Sequence, residues 1–584
     1  MSNFHKHSPW LVLVLVMAVH IWVNHNRWQR FPAIDETFHS DTKSLAKHAI
    51  MLTEDVSADH FVVQLQPSNQ GEIDRWQLLK MATKSPEPNM DIDGKPIGNV
   101  RFNSYRNSPP LWYLATSIPA VLFGVSQNSV LLSPLLILSL IAGLLISIGR
   151  DIDERGWGAT FAAVLMTMIP IGWQGARIGS PILGNVLAVT LVLWALIKSD
   201  ALRKPWWTLL AGVLVGYQTR WGESVGDGLL VSAAVVGPLL CCLGIALHRI
   251  WTRRRWMQLS WIAGAIGLVI WLTPWAWLLE HTNRYVLSEA TGGQQSMEFT
   301  SIMRYPKVLT WSLLGAPAMA MVLVGVVGAI WLRSRWKMLL LLSSFAGLFT
   351  AITLSSKGND YYAASAIPSI VLIGGLGTAA IPIVGRWLGV MLLAWISTGW
   401  WMLSQIDAKT VSNYACKEHI STWVIGDPYL CSSLLRREHP GWFRSDVYQW
   451  FRVWRQPLDQ TKEFKARFSR WLLKQQGHQA LSKLPSGALV LLLTDKKHPY
   501  AESAELFIIT QRPDLFVHQT GSRKPNPGSL TQLLINNATE IAVLSFQEDP
   551  YQFGSPSPLP SWISAQEKLA YTLTEELWSV ELRP

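Results

Sequence analysis

Long hydrophobic runs separated by short polar connectors occupy the chain from residue 109 to residue 404. In lipid, a helix satisfies the backbone hydrogen bonds of such a run within a single segment. The spacing therefore predicts a polytopic α-helical membrane protein. The candidate segments are an N-terminal run at 10–23 and the runs at 109–126, 128–149, 157–172, 181–197, 206–219, 228–247, 257–279, 311–332, 337–356, 363–384 and 387–404.

The composition of the whole chain supports this fold class. Hydrophobic residues make up 49% of the 584 residues and charged residues 15%, with a mean hydropathy of +0.20. Several runs are shorter than a full span, so the number of transmembrane helices is left at about 11 to 13. The run at 109–126 begins with two prolines and contains Pro119, so it is either a span or a short re-entrant segment.

Basic residues concentrate in one set of connectors and predict the side on which each connector lies. Lys and Arg are enriched in cytoplasmic loops, and the basic connectors are 198–204, 253–255 and 333–337, with Arg386. The other connectors, at 173–181, 218–227, 280–310 and 355–362, then lie outside. Because topology accounts for the formal net charge of +11, a nucleic-acid partner is not predicted.

The first hydrophobic run is interpreted as an uncleaved anchor. Trp22, Asn24 and His25 stand where a signal peptide would carry its small-residue cleavage site. A polar stretch follows at 24–108, and a loop of this length is normally functional or a small domain of its own. We expect this stretch to be the first extracytoplasmic loop.

Asp35 and Glu36 stand near the start of that loop. Ionisable residues at a bilayer generally serve a pathway, a partner or a reaction. On a helix, Asp35 and His39 would share a face, and a carboxylate there could accept a proton from an attacking hydroxyl or amine. The alternative is a solvated helix cap, because Asp and Glu suit a first helical turn, and from this stretch alone the cap is the stronger interpretation.

Basic and aromatic residues also collect in the connectors on the predicted outer side. Each one alone suits an interfacial anchor. Together they outline a basic cavity mouth that suits a lipid-linked phosphate. The residues are Arg177, Arg220, Arg304, Lys357 and Tyr361.

From residue 406 the hydrophobic runs shorten to strand length, which predicts a soluble α/β domain at 406–584. Cys416 and Cys431 could form a disulfide if this domain is extracytoplasmic. No glycine-rich nucleotide loop or zinc-spaced cluster occurs in the sequence, which disfavours an ATP-driven transporter. The predicted elements are strands at 488–494, 506–510 and 540–546 and a basic amphipathic helix at 461–475.

The order of these features resembles the GT-C glycosyltransferases of the protein-mannosyltransferase and lipid A aminoarabinose-transferase type. Each motif is short, and the match rests on their order between residues 10 and 400. The matching pieces are 34–36 with 46–52, 108–113 with 122–124, 149–150 with 156–158, 169–177, 219–222, and 357–362 with Pro368.

This resemblance implies that residues 1–405 form a transferase module in a bacterial inner membrane, with the domain at 406–584 in the periplasm. The module would move a sugar from a polyprenyl-phosphate carrier to an extracytoplasmic lipid, glycan or protein. Asp35 would be the catalytic base, with Glu36 beside it. The implied donor-phosphate contacts are Lys357, Arg220, Arg177, Arg304 and Tyr361, and the residues implied near the acceptor are His39, Asn107 and Tyr105.

The sequence departs from the lipid A branch at two places. That branch carries an acidic residue and Lys directly before the Pro-Pro pair, where Asn107 and Ser108 stand here. It also carries an Asp shortly after the arginine, where this chain has Ser180-Pro181. No metal site is therefore assigned from those acids, although Asp35 with His39, or Asp91 with Asp93, could bind a divalent cation.

Two other functions compete with a transferase. A transporter or flippase of a lipid-linked saccharide would show repeated halves and helices broken at matching places, and the sequence has no convincing internal repeat. A catalytically degenerate assembly protein would retain the fold and act through its C-terminal domain. The clustering of acids in one asymmetric loop favours the transferase.

Overall fold

The computed structural model describes most of the hydrophobic region and part of the C-terminal domain. The chain divides into two compact units, of which the first comprises Met1–Asn24, Asn107–Trp112 and Pro134–Trp454, and the second the remaining residues. The described residues are 2–30, 110–123, 127–154, 156–178, 182–218, 225–253, 256–273, 314–332, 334–354, 360–405, 482–493, 515–521, 540–545, 559–566, 569–573 and 580–582, with residues 508, 512, 524, 532 and 535.

The hydrophobic runs fold into helices close to the predicted positions. The helices are α1 (Ser2–Arg30), α2 (Pro110–Phe123), α3 (Gln127–Ile152), α4 (Trp157–Met168), α5 (Pro170–Ile178), α6 (Ile182–Lys198), α7 (Pro205–Tyr217), α8 (Val225–Arg253), α9 (Gln258–Leu272), α10 (Ala316–Gly328), α11 (Arg335–Leu354), α12 (Ile367–Ala380) and α13 (Gly385–Gln405). Short 3-10 helices follow α10 at Ala329–Trp331 and precede α12 at Asp360–Ala366.

Apolar side chains cover much of the outer surface of these helices. Val14, Leu240 and Leu323 are each more than 60% exposed, although water would not solvate such a surface favourably. Lipid accounts for the exposure, so the chain is a membrane protein. By length and composition, three of the described helical stretches can cross a membrane: Leu132–Ile152, Val231–Arg253 and Ala363–Ala380.

Helices in the first unit approach one another closely through glycine. A Cβ atom added to Gly377 of α12 would overlap the carbonyl oxygen of Gly325 of α10. On the other side of α12, a Cβ atom on Gly158 of α4 would lie 2.7 Å from the Cα atom of Leu376. Because lipid provides no hydrophobic drive between helices, close backbone contact is a main source of association. Helix α12 is thereby held between α4 and α10.

A second set of close contacts involves the helices from α7 to α11. A Cβ atom on Gly212 of α7 would lie 2.7 Å from the carbonyl oxygen of Ala265 of α9. A Cβ atom on Gly347 of α11 would lie 2.6 Å from the carbonyl oxygen of Ala233 of α8. These contacts pair α7 with α9 and α8 with α11.

Asp151, at the end of α3, binds basic side chains from two other helices. Its carboxylate forms an ion pair with Lys198 Nζ at 2.8 Å, at the end of α6. Lys337 Nζ, in the first turn of α11, donates a hydrogen bond to the Asp151 carbonyl oxygen. Three helix termini therefore meet at this point.

The connector between α6 and α7 is fastened at the same place. Asp200, Ala201 and Leu202 have left-handed backbone dihedrals with φ of 52°, 52° and 62°, which is costly for non-glycine residues. Arg249 of α8 donates to the Asp200 carbonyl oxygen at 2.8 Å, and Gln258 of α9 donates to the Leu202 carbonyl oxygen at 2.9 Å. These bonds, from two other helices, hold the strained connector in place.

We call the end of the bundle that contains Asp151, Lys198, Asp200, Arg249 and Lys337 the basic end. The ion pairs and hydrogen bonds there join the ends of α3, α6 and α8 to the starts of α9 and α11. The basic connectors predicted to share one side therefore do meet in the structure. Arg386 lies 5.9 Å from the ring of Trp157, at the start of α4.

Helix α1 runs away from the basic end. Its residues Leu13 and Met17 pack with Ala163 of α4, and the later residue Val19 packs against Trp173 of α5. Helix α1 therefore runs in the same direction as α4 and α5. Helix α3 runs in the opposite direction and ends at Asp151. The 14-residue helix α2 stands between them in the sequence. Whether the run at 109–126 is a span or a short re-entrant segment stays a prediction with two alternatives.

The second unit contains a five-stranded sheet with strand order β2-β1-β3-β4-β5. The strands β1 to β4 pair in parallel and β5 pairs antiparallel to β4. The strands are β1 (Leu489–Leu493), β2 (Phe516–Thr520), β3 (Ile541–Ser545), β4 (Leu569–Leu573) and β5 (Val580–Leu582), with a short helix α14 (Ser561–Ser564) before β4.

The sheet confirms two predicted strands and corrects one. The predictions at 488–494 and 540–546 correspond to β1 and β3. The third prediction, a strand at 506–510, is wrong at Ile508, which lies in a helical turn. The carbonyl oxygen of Ile508 accepts a hydrogen bond from the backbone N–H of Arg512 at 2.7 Å. Leu491 and Val543 pack with Trp562 and Ile563, so buried strands alternate with helices that cover the sheet. A buried helical segment and a buried strand are both apolar, and periodicity does not separate them in a five-residue run. The predicted helix at 461–475 lies outside the described residues.

We predict that Gly377→Ala destabilises the protein and that Gly267→Ala does not. The new methyl group at Gly377 meets the α10 backbone, whereas nothing lies within 4 Å of a Cβ atom at Gly267. Overpacking of this kind costs roughly 1–3 kcal/mol, while Ala is the better helix former by up to about 1 kcal/mol. Thermal unfolding of the two detergent-solubilised variants measures the difference. Equal melting temperatures would contradict the packing described for α12.

We also predict that Asp151→Asn and Lys198→Met are energetically coupled. Both side chains are about 30% exposed or less, so we expect a coupling energy of about 0.5–1 kcal/mol from a double-mutant cycle of unfolding. Lys198→Met combined with Arg386→Met is the control, and its two effects should add. Additivity in the Asp151 cycle would mean that the ion pair does not join α3 to α6.

Candidate functional site

Several helices have one terminus at the basic end and the other far from it. Helices α6 and α8 end at the basic end, whereas α9 and α11 start there. Their other termini define what we call the opposite end of the bundle. It includes the start of α6 at Ile182, the end of α7 at Tyr217, the start of α8 at Val225 and the end of α11 at Leu354.

Gln218 joins the end of α7 to α8 at the opposite end. Its Nε2 atom donates to Ser232 Oγ at 3.1 Å, and the residue is 7% exposed. The carbonyl oxygen Oε1 of Gln218 is buried and has no hydrogen-bond partner among the described residues. Arg220 follows two residues later in the sequence. The buried amide therefore fixes the point from which the chain continues to a predicted donor contact.

The 3-10 helix Asp360–Ala366 packs among α6, α8, α11 and α12. Its residues Ala363, Ala364 and Ala366 are buried, and their small side chains allow four helices to surround a short turn. Tyr361 lies in the first turn of this helix, and Lys357 precedes the helix by three residues in the sequence. The turn thus places Tyr361, by its backbone, where these four helices meet.

Arg177 lies in the last turn of α5. The segment predicted as one run at 157–172 is two helices, because Pro170 begins α5 after a break at Ile169. Proline has no backbone N–H to continue a helix. Helix α5 packs against α4 and α6, and its Trp173 is buried against Val19 of α1 and Met168. The break therefore sets α5 between the N-terminal helix and α6.

Buried polar side chains at the opposite end were not among the predicted site residues. Asn185, in the first turn of α6, is 5% exposed, and its Oδ1 atom has no hydrogen-bond partner within the described segments. Ser369, in the first turn of α12, is fully buried. His20 of α1, next to Val19, is also fully buried. The signal in each case is a polar residue inside a hydrophobic run, which is costly in a membrane and usually functional.

Most of the predicted site residues lie outside the part of the chain that the structure describes. Only Arg177 and Tyr361 are placed, each by its backbone. Within the described ranges no group of three His, Cys, Asp or Glu residues could hold a metal ion. The predictions outside the described residues are Asp35, Glu36, His39, Tyr105, Asn107, Arg220, Arg304 and Lys357, the cation ligands Asp91 and Asp93, and the Cys416–Cys431 disulfide.

No protein-family model matches the chain, and no curated protein matches it significantly. Among solved structures, it is similar to ArnT from Cupriavidus metallidurans bound to undecaprenyl phosphate, with 14% identity and a TM-score of 0.42 over 71% of this chain and 79% of ArnT. The apo structure of the same ArnT matches with 13% identity and a TM-score of 0.42 over 77% of each chain.

Proposed function

We propose that the chain is a membrane glycosyltransferase of the GT-C type, which moves a sugar from a polyprenyl-phosphate carrier to an extracytoplasmic acceptor. One observation carries the proposal. Four of the predicted donor contacts are next to helix termini that lie away from the basic end. These residues are Arg177, Arg220, Lys357 and Tyr361. A transferase of this type requires those four residues on a single face of the membrane.

The direction of α1 supports the same site. Val19 packs against Trp173 of α5, the helix whose last turn contains Arg177. The loop that carries Asp35 begins after α1 in the sequence. Helix α1 therefore runs from the basic end toward the opposite end of the bundle, where the predicted phosphate contacts are proposed to lie.

The proposed reaction is a displacement at the anomeric carbon. A hydroxyl or amine of the acceptor attacks C1 of the sugar, and the bond from C1 to the carrier phosphate breaks, with its electron pair leaving on the phosphate. Asp35 accepts the proton of the nucleophile, and Glu36 lies beside it in the sequence. Arg220 and Lys357 stabilise the negative charge on the departing phosphate, which is the type of electrostatic assistance that contributes most to many enzymes.

Buried amide and hydroxyl groups add polar contacts to the proposed site. The Oδ1 atom of Asn185 and the Oε1 atom of Gln218 are acceptors without a hydrogen-bond partner in the described part of the chain. A buried polar atom without a partner costs roughly 1–3 kcal/mol, so such atoms are usually retained for a role. Sugar hydroxyls are donors that would satisfy both.

The sidedness of the proposal follows from charge. Lys and Arg mark the cytoplasmic side, so the basic end lies in the cytoplasm and the opposite end faces outward. In a bacterial inner membrane the donor site and the C-terminal α/β domain then lie on the periplasmic side. A polyprenyl-phosphate sugar would reach the site from the outer leaflet.

The test compares wild type with Asp35→Asn, and with Asp59→Asn as an acid of the same loop that has no assigned role. Purified protein receives radiolabelled polyprenyl-phosphate sugars and a membrane extract as acceptor. Loss of a general base typically reduces the rate about 10²- to 10⁴-fold, so we expect transfer with wild type and Asp59→Asn and a loss of that size with Asp35→Asn. Donor binding should survive in all three proteins.

Two outcomes would contradict the proposal in different ways. Full transfer by Asp35→Asn would remove Asp35 from the chemistry while leaving a transferase. If no donor supported transfer and labelled lipid instead crossed reconstituted vesicles, the protein would be a transporter of a lipid-linked saccharide.

A further inference from the structure

The helix termini and connectors of the basic end carry several exposed tryptophan and basic side chains. Trp206 is 81% exposed and Trp251 is 80% exposed. Lys204 and Arg253 are exposed as well. We call Lys204, Trp206, Trp251, Arg253 and Trp256 the interfacial patch. It lies far from the proposed transferase site, which is at the opposite end.

The fold brings the members of the interfacial patch together from three helices. Arg249 of α8 donates to the Asp200 carbonyl oxygen at 2.8 Å, and Arg253 stands one turn further along the same face of α8. Trp261 of α9 donates to the Leu202 carbonyl oxygen at 3.2 Å. This bond holds the start of α9 against the connector, and Trp256 precedes that start by two residues. Lys204 and Trp206 continue the connector that both bonds hold.

The carboxylates of Asp151 and Asp200 pair with only some of the basic side chains in this region. Asp200 pairs with Arg203 at 3.0 Å and with Arg249 at 3.6 Å. Asp151 pairs with Lys198. Among the described residues, Lys204 and Arg253 form no ion pair with an acidic side chain, so their charges face outward uncompensated. In the sequence, Arg253 is followed by two more positively charged residues, Arg254 and Arg255.

The exposed tryptophans are not needed for packing between helices. Trp207, next to Trp206, packs edge-on against Trp194 at 4.9 Å between ring centroids and is half-buried, whereas Trp206 points out of the bundle. Tryptophan at the boundary of a membrane places its ring at the level of the lipid headgroups. The exposed indole rings and the basic side chains of the interfacial patch therefore lie at the depth of the lipid phosphate groups and the upper acyl chains.

We propose that the interfacial patch binds an anionic phospholipid of the cytoplasmic leaflet. Lys204 and Arg253 pair with the phosphate, and the indole ring of Trp206 contacts the glycerol backbone and upper acyl chains. Charge favours an anionic lipid over a zwitterionic one, because the cation of a zwitterionic headgroup would be repelled by Lys204 and Arg253. A bound lipid would join α7, α8 and α9 at their shared connector.

The experiment measures lipid binding to the full-length protein in detergent. Native mass spectrometry and thermal unfolding are compared with added phosphatidylglycerol and phosphatidylcholine. The variants are Lys204→Gln, Arg253→Gln and the double variant. Arg386→Gln is the control, because it removes one exposed positive charge that lies beside Trp157 of α4 and is not a member of the interfacial patch.

We expect wild type and Arg386→Gln to bind phosphatidylglycerol in preference to phosphatidylcholine and to gain thermal stability from it. Each substitution in the patch should weaken phosphatidylglycerol binding roughly fivefold, which is the usual effect of one cation near an anionic membrane surface. The shift is read as the difference between the two lipids, so a change in basal stability does not imitate it.

Three results would overturn the proposal. The first is equal binding of the two lipids by wild type. The second is an equal loss in Arg386→Gln, which would show a general effect of charge. The third is competition by glycerol phosphate or inorganic phosphate at the same concentration as the lipid, which would indicate a site for a free anion. None of these results depends on transferase activity.

Discussion

Asp151 binds Lys198 and Lys337 at a single point where three helix termini meet. In lipid, helices have little hydrophobic reason to choose one vertical position over another, so polar contacts at their ends have a large influence on register. The Asp200 connector, held by Arg249 and Gln258, extends the same arrangement to α8 and α9. These contacts define one end of the bundle. For each helix that starts or ends there, its other described terminus lies away from that end.

The glycine contacts serve the same architecture along the helix axes. Gly325 and Gly377 let α10 and α12 meet backbone to backbone, and Thr378 Oγ1 donates to the Met321 carbonyl oxygen at 3.2 Å beside them. The 3-10 helix that contains Tyr361 precedes α12 and packs among α6, α8, α11 and α12, and without these neighbours it would be too short to hold a fixed position. The ion pairs at one end and the close packing in the middle therefore determine where the proposed donor contacts lie at the other end.

Hydrophobicity predicted the positions of most helices, because a long apolar run in lipid satisfies its backbone hydrogen bonds as a helix. The side of the membrane that charge assigns to each connector stays a prediction. The basic connectors at 198–204 and 333–337 do meet, as their charge predicted. The break at Pro170 and the helical turn at Ile508 were missed, since an apolar run has the same composition in either conformation. Asn185 and Gln218 were also missed, because a lone polar residue in a hydrophobic run does not reveal which neighbours surround it.

The basic end and the opposite end are proposed to lie on different sides of the membrane. The most direct measurement uses a variant without native cysteines, carrying either Lys204→Cys or Ser224→Cys, and a membrane-impermeant maleimide. In intact bacterial cells we expect Ser224→Cys to be labelled and Lys204→Cys to be labelled only after permeabilisation. Labelling of both positions from the same side, or the reverse pattern, would contradict the account.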